Sequence, residues 1–403
     1  MTAYHPLTEL EAVQIARTLG QFFPEGADLQ CREIGDGNLN LVFHIADAAS
    51  GKSLIMKQAL PYAKVVGESW PLTLDRARIE SEKLLLEGKL APGLVPAVYH
   101  YDPALALTVM EDLSDHLIMR QGLIAGTRYP KFADDISTFM ARTLFFTSDL
   151  GMNQQDKKNL VKAFINPELC KITEDLIFDD PYTDSPNNSF APAIRDAAEA
   201  LWKDGELHLE VAILREKFLT SAQALLHGDL HTGSVFATPA STKVIDPEFA
   251  FYGPIGFDIG AVIANLLLNF AGQEHWSEDA EKRSDFRRYL TDTIRDVWQL
   301  FDKKFRALWE ESCIDRIASE TPAYKEYYMQ RLLQDAAGFA GCKIVRRIVG
   351  LSHVIDIDRI PDAAAREKAQ RLALAIGTAL IRGNRRTQSI EEVVDIALSA
   401  AAK

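Results

Sequence analysis

The hydrophobic spacing of this chain changes period once, near residue 111, and that change limits it to a narrow set of folds. Before that point the apolar residues fall in short runs, Leu29 to Ile34, Leu41 to Ala46, Ser53 to Ala59, Val95 to Tyr101 and Leu105 to Met110. Turn chemistry such as Gly35-Asp36-Gly37-Asn38 and Asp47-Ala48-Ala49-Ser50-Gly51-Lys52 separates them, which predicts a small antiparallel meander. Two helices join it, one over 8–23 after a Thr8 cap and one over 73–90. Beyond the polar step Glu111-Asp112-Leu113-Ser114-Asp115 the spacing turns helical, with helices expected near 130–149, 155–165, 192–203, 206–225, 258–270, 279–309, 322–350, 362–382 and 388–401. A β-rich island between Ser234 and Phe251 interrupts them. The expectation is an α+β chain in two lobes, a sheet-rich one over 1–112 and a mainly helical one over 113–403.

Composition narrows the function classes. The 403 residues, 47% of them hydrophobic, suffice for a large buried core. Lys plus Arg number 44 against 57 Asp plus Glu, a net charge of −13 that disfavours nucleic acid or anionic lipid as general partners. No apolar run approaches the roughly 18 residues of a membrane span, and the N-terminus lacks a basic start followed by an apolar core, so a cytoplasmic protein is expected. Cys31, Cys170, Cys313 and Cys342 show no C-x-x-C spacing and read as reduced thiols.

Chemistry concentrates in His227-Gly228-Asp229-Leu230-His231-Thr232-Gly233-Ser234-Val235 and in Val244-Ile245-Asp246-Pro247-Glu248-Phe249. Either aspartate alone would be a turn residue. Together, one after a glycine in a polar loop and the other ending a β-branched run with Glu248 two positions on, they form the set that phosphoryl transfer needs. One carboxylate orients and deprotonates a hydroxyl, while others hold the metal that bridges phosphates. His227 and His231 flank Asp229 without further ligands at metal spacing and read as loop braces. In the N-terminal half, Gly35 and Gly37 sit in a turn that would let backbone N–H groups approach phosphates, and Lys57 ends the run Leu54-Ile55-Met56-Lys57 on the third strand; the helical phase leaves both Glu80 and Glu82 of the next helix open as its partner. Arg346 and Arg347 lie late in a helix between apolar residues. Adjacent positions diverge by about 100°, so one arginine is expected at a site and the other toward solvent or a salt bridge.

These loops resemble the catalytic and metal loops of the aminoglycoside phosphotransferase and protein-kinase-like superfamily, and within it most closely those of the methylthioribose kinase family. Ser234 stands where many members carry Asn, and Asp-Pro-Glu replaces the Asp-Phe-Gly of protein kinases; both departures resemble the methylthioribose kinase pattern. The resemblance implies a protein-kinase-like two-lobed fold with ATP between the lobes, Mg²⁺ as cofactor, and phosphorylation of the 1-hydroxyl of 5-methylthioribose in methionine salvage. It implies Asp229 as catalytic base and substrate contact, and Asp246 and Glu248 as metal ligands. ATP would meet Asn40, Lys57, Asp246, Pro247 and Glu248, its phosphates Gly35 and Gly37, and its adenine the backbone of Glu111, Asp112 and Leu113. Trp70, Arg346 and Arg347 would serve the sugar, Arg346 being favoured, and Asp258 would brace the catalytic loop or merely cap a helix. The partners implied are a small sugar and a second copy of the chain in a homodimer, with no nucleic acid or membrane. Two rivals stay open: a kinase of the same fold for an aminoglycoside, homoserine or choline, and a nucleotide-binding regulator without turnover.

Overall fold

The structure, a computed structural model, describes residues 4–20, 22–35, 39–63 and 67–402, the side chains of 63–70 excepted. It divides into two compact units, Met1–His116 with Lys243–Ala250, and Leu117–Thr242 with Phe251–Lys403.

The first unit opens with α1 (Glu9–Thr18), whose start is a capping box: Thr8 Oγ1 accepts the Glu11 N–H while the Glu11 carboxylate accepts the Thr8 N–H. The helix ends short of the expected 23, ahead of Gly20, and Phe22 and Phe23 pack on the core from the loop that follows. Then come β1 (Leu29–Glu33), β2 (Asn40–Asp47), β3 (Lys52–Ala59), a short ribbon of β4 (Tyr62–Ala63) and β5 (Gly67–Pro71), α2 (Asp75–Leu90), β6 (Val98–Asp102) and β7 (Leu107–Glu111). Five strands form one antiparallel sheet in the order β1-β2-β3-β7-β6. On one face Phe43, Ile45, Leu54, Met56, Leu107 and Val109 bury against α1. Strand side chains alternate, so Lys57, next to Met56, points away from that core toward α2. The sequence places residues 243–250 with the helical lobe; in the fold they join the sheet unit, because the Val244 N–H donates to Leu94 O at 2.7 Å and Lys243 Nζ lies 3.2 Å from Glu111.

The second unit begins with β8 (Leu117–Ile118), α3 (Met119–Ile124), α4 (Phe132–Phe146), α5 (Gln154–Ala163), α6 (Pro167–Glu174), α7 (Arg195–Trp202) and α8 (Gly205–Thr220). Short strands β9 (Ala224–Leu225), β10 (Val235–Thr238), β11 (Ser241–Val244) and β12 (Tyr252–Gly253) follow, then α9 (Gly256–Trp276), α10 (Ala280–Ser312), α11 (Arg316–Glu320), α12 (Pro322–Val349), α13 (Ile355–Asp358), α14 (Ala363–Gly383) and α15 (Ile390–Ala401). β9 pairs with β12, and β10 with β8, so the loop between β9 and β10 is anchored at both ends. α9 is apolar on all sides and buried from Gly256 to Gln273, the pattern of a helix enclosed by others. It meets α12 backbone to backbone at Gly256 and Gly260, one turn apart. Among the described residues no helix is long and apolar enough to cross a membrane, and all four cysteines are free.

A Cβ at position 260 would stand 2.7 Å from Ala336 O and 2.8 Å from Ala340 N, both backbone atoms that cannot swing aside. Gly260→Ala is therefore expected to lower stability by about 1–3 kcal/mol, read as a drop in the urea midpoint; an unchanged midpoint would show that the two helices separate without penalty.

Candidate active site

In the first unit four chain segments converge on a buried charged cluster. Lys57 Nζ donates to Glu80 Oε1 of α2 at 2.8 Å and to Asp246 Oδ1. Asp246 sits in the left-handed region at φ 69°, a conformation that Asp tolerates better than most residues, and Pro247 then starts a short 3₁₀ turn to Phe249. That turn delivers Glu248 inward, where it accepts from Asn40 Nδ2 at 3.2 Å and lies 3.2 Å from Arg76 Nε. Arg76 is fully buried and spends its other nitrogens on Leu60 O, Thr73 O, Leu39 O and Asn40 Oδ1 at 2.8–3.2 Å. One guanidinium thus ties the β1–β2 turn, the end of β3, the start of α2 and the 247–249 turn together.

Glu80, Asp246 and Glu248 each offer a carboxylate oxygen within 4.8 Å of the others. Burial pushes Glu80 up to about 7 and raises Glu248, the neighbouring carboxylates adding to the effect and Lys57 opposing it. Burial by itself would lower Lys57, but Asp246, Glu80 and Glu248 hold its ammonium above the ordinary value. Three carboxylates thus face two cations, with Glu80 and Glu248 buried and Asp246 still open to solvent. An all-oxygen set with surplus negative charge fits a hard divalent cation such as Mg²⁺.

In the second unit the β9–β10 loop carries Asp229. Gly228 takes φ 85°, and its N–H and that of His227 donate to the Asp258 carboxylate at 3.1 and 2.7 Å. Asp258, inside the first turn of α9, is thus a brace for this loop. Ser234 N–H donates to His231 Nδ1 at 3.0 Å, so that nitrogen is unprotonated and the ring proton sits on Nε2, 3.3 Å from Asp229 Oδ2. The Asp229 N–H donates in turn to His227 Nδ1 at 3.3 Å. Both histidines brace the loop.

Cations surround this carboxylate. Lys343 Nζ lies 3.7 Å from Asp229 Oδ1, and Arg346 and Arg347 follow on the same buried face of α12. Arg120 donates to Thr232 Oγ1 at 3.3 Å and Asn265 Oδ1 at 2.9 Å, with Asp356 3.5 Å away. Burial opposes ionisation of Asp229, yet His231, Lys343, Arg347 and Arg346 together hold it far below the usual carboxylate range. Burial likewise pushes His231 well below its ordinary value, against the pull of Asp229. The two arginines differ from the expected split, since neither faces solvent. Arg347 donates to Ser352 Oγ at 2.9 Å and to the carbonyls of Ser352 and His353, while the buried Arg346 Nε has no hydrogen-bond partner among the described residues.

The structure brings Asn40, Lys57, Asp246, Pro247 and Glu248 together in one unit and Asp229, Arg346 and Arg347 in the other. Glu80 takes Lys57, while Glu82 pairs with Arg78 at 2.9 Å. The side chain of Asn40 is committed to Arg76 and Glu248. Glu111 accepts from Ala97 N–H at 3.0 Å, and Asp112 accepts from Ser53 and Ser114 hydroxyls at 2.6 and 2.5 Å, so both acidic side chains are occupied locally. Leu113 is buried, and Gly35 is exposed just past β1. Gly37 lies outside the described residues; Trp70 belongs to β5, its side chain likewise outside them. Sequence reasoning misses Arg76, Arg120 and Lys343. A signal exists for two of them: Arg76 heads a row with Glu80, Lys83 and Glu87 at helical spacing, and Lys343, Arg346 and Arg347 stand at i, i+3 and i+4 in an otherwise apolar stretch.

Residues 30–295 match the phosphotransferase enzyme family, and the chain belongs to that family. Methylthioribose kinase of Geobacillus kaustophilus (strain HTA426) is 53% identical over 381 residues, covering 94% of this chain and 93% of that relative. The Yersinia enterocolitica methylthioribose kinase is 46% identical over 394 residues, 98% of each. Within the phosphotransferases the chain is therefore a member of the methylthioribose kinase family. Among solved structures, choline kinase from Cryptosporidium parvum Iowa II aligns with a TM-score of 0.48 at 13% identity, over 90% of this chain and 94% of that one.

Arg76→Met strands Glu248 beside Asp246 without its guanidinium and frees three carbonyls. The expected loss is about 3–5 kcal/mol by urea unfolding, partly recovered in Arg76→Lys; wild-type stability in the Met variant would mean that the cluster does not rely on this cation.

Proposed function

We propose that this enzyme transfers the γ-phosphoryl group of ATP to the 1-hydroxyl of 5-methylthioribose, releasing ADP and 5-methylthioribose 1-phosphate in methionine salvage. The reading is carried by the charge around Asp229, where Lys343, Arg346, Arg347 and Arg120 face one carboxylate. Such a site repels a cationic acceptor such as choline or an aminoglycoside and suits a neutral sugar that receives a phosphate. The relatives named methylthioribose kinase support the same acceptor.

In this reading Asp229, ionised at neutral pH, orients the sugar hydroxyl for in-line attack. Its low basicity suits a loose transition state, in which the hydroxyl proton moves to Oδ as the bond to phosphorus forms and the bond to the ADP oxygen breaks. Arg346, with Nε unspent, offsets charge on the transferring group, and Arg347 shapes the pocket through the Ser352–His353 loop. Lys57, oriented by Glu80, meets the nucleotide phosphates, with the backbone N–H groups at Gly35 and Gly37 as their further contacts in this reading. Asp246 and Glu248 would hold Mg²⁺, which when bound neutralises phosphate charge. The side chains of Glu111 and Asp112 are occupied, so adenine contact falls to the backbone of 111–113. Trp70 completes the sugar side.

The test is steady-state ADP release with Mg²⁺ and ATP across 5-methylthioribose, ribose, homoserine, choline and an aminoglycoside. Turnover is expected on methylthioribose, abolished by EDTA and reduced about 10²–10⁴-fold in Asp229→Asn. Preference for choline or an aminoglycoside would sink the acceptor assignment, and ATP binding without turnover on any acceptor would favour a regulator.

A further inference from the structure

Lys343 adds to the positive charge around Asp229 but has been given no separate role in the transfer, and it is buried beside the loop that carries this carboxylate. A lysine that is 5% exposed must be compensated or neutral. Two contacts compensate it: its Nζ lies 3.9 Å from the centroid of the Phe257 ring at the start of α9, and 3.7 Å from Asp229 Oδ1. Asp229 Oδ2 already faces His231 Nε2 at 3.3 Å. Lys343 therefore supplies the second of two fixed contacts, one per carboxylate oxygen, and the pair sets the rotation of the carboxylate plane. The close approach of α9 and α12 at Gly256 and Gly260 brings Phe257 within reach of this side chain, so its position follows from helix packing.

We propose that Lys343 is the positioning residue of the catalytic carboxylate, its charged ammonium clamping Asp229 Oδ1 while His231 clamps Oδ2, and that turnover requires this charge. The proposal rests on the reading of Asp229 as the group that orients the acceptor hydroxyl. The charged and titratable groups facing Lys343 are Asp229 and His231 of the loop, Asp258 of α9, and Arg346 and Arg347 of its own helix. Burial pulls Lys343 down to about 8; Asp229 and Asp258 oppose the fall, while Arg346 and Arg347 deepen it. The clamp is present below that value and is lost as the pH rises through it. An arginine at 343 would keep its charge across this range.

The experiment is the pH profile of kcat on 5-methylthioribose for the wild type, Lys343→Arg and Lys343→Met. The wild type should lose activity as pH rises through about 8. Lys343→Arg should restore most of the neutral-pH rate and keep it on the alkaline side. Lys343→Met should lose about a hundredfold in kcat, as for removal of one preorganised donor, with the KM for ATP unchanged and no alkaline fall. A Met variant within twofold of wild type, or wild type and Arg variant falling together, would overturn the proposal. A second measurement needs no acceptor and does not depend on the Met variant folding. In protein labelled with ¹³C at aspartate carboxyls, the Asp229 resonance, identified by its loss in Asp229→Asn, should titrate near 8 in wild type and stay flat in Lys343→Arg. A flat wild-type resonance refutes the clamp. Absence of wild-type turnover on methylthioribose would instead refute the acceptor assignment and leave the resonance to decide on Lys343.

Discussion

The contact between α9 and α12 sets the geometry of everything that touches Asp229. Because Gly256 and Gly260 carry no side chain, the two backbones meet where an alanine methyl would already collide. That proximity puts Asp258, which receives the N–H groups of His227 and Gly228, and Phe257, which receives the Lys343 ammonium, on a helix lying against the one that carries Lys343, Arg346 and Arg347. A looser pair of helices would leave the same residues present but set at other distances, and in a reacting site a displacement of about 1 Å can cost about a hundredfold in rate.

Arg76 plays the comparable organising part in the first unit. It gathers carbonyls from the β1–β2 turn, from the residue after β3 and from the entry to α2, then turns its remaining nitrogen to Glu248. Burying a guanidinium is tolerable because both its terminal nitrogens donate to acceptors, three of them backbone carbonyls, and the Glu248 carboxylate stands beside Nε. The left-handed turn at Asp246 is held in place from the same side, by Lys57 and by the attachment of residues 243–244 to Leu94 and Glu111.

The units solve opposite electrostatic problems. The first buries more carboxylate than cation; burial, with the neighbouring carboxylates adding to it, raises Glu80 and Glu248, and the surplus charge favours a divalent ion. The second buries more cation than carboxylate; the cations keep Asp229 ionised, and burial, deepened by the two arginines, draws Lys343 toward neutrality. A phosphoryl transferase has use for both kinds of environment, one for a metal ion and one for the negative charge spread over the equatorial oxygens of the group being transferred.

Much of this was legible from residues alone. The order of elements follows from the switch in hydrophobic period, the start of α1 from Thr8, and the candidate reacting groups Asp229, Asp246 and Glu248 from the loops that carry them. These are properties of short stretches, where spacing, turn preference and capping act locally. The ends of elements shifted where packing took over, as at Phe22 and Phe23, which join the core from a loop. What the fold alone decided is which charged residues are buried together. Glu80 and not Glu82 meets Lys57, Arg347 and not Arg346 spends itself on Ser352 and His353, residues 243–250 join the sheet unit, and Arg76, Arg120 and Lys343 become part of the sites. Local sequence determines the period of an element and its chemical content, but the partner of a buried charge is chosen by which backbones approach closely, and that distance is set by packing between segments far apart in the chain.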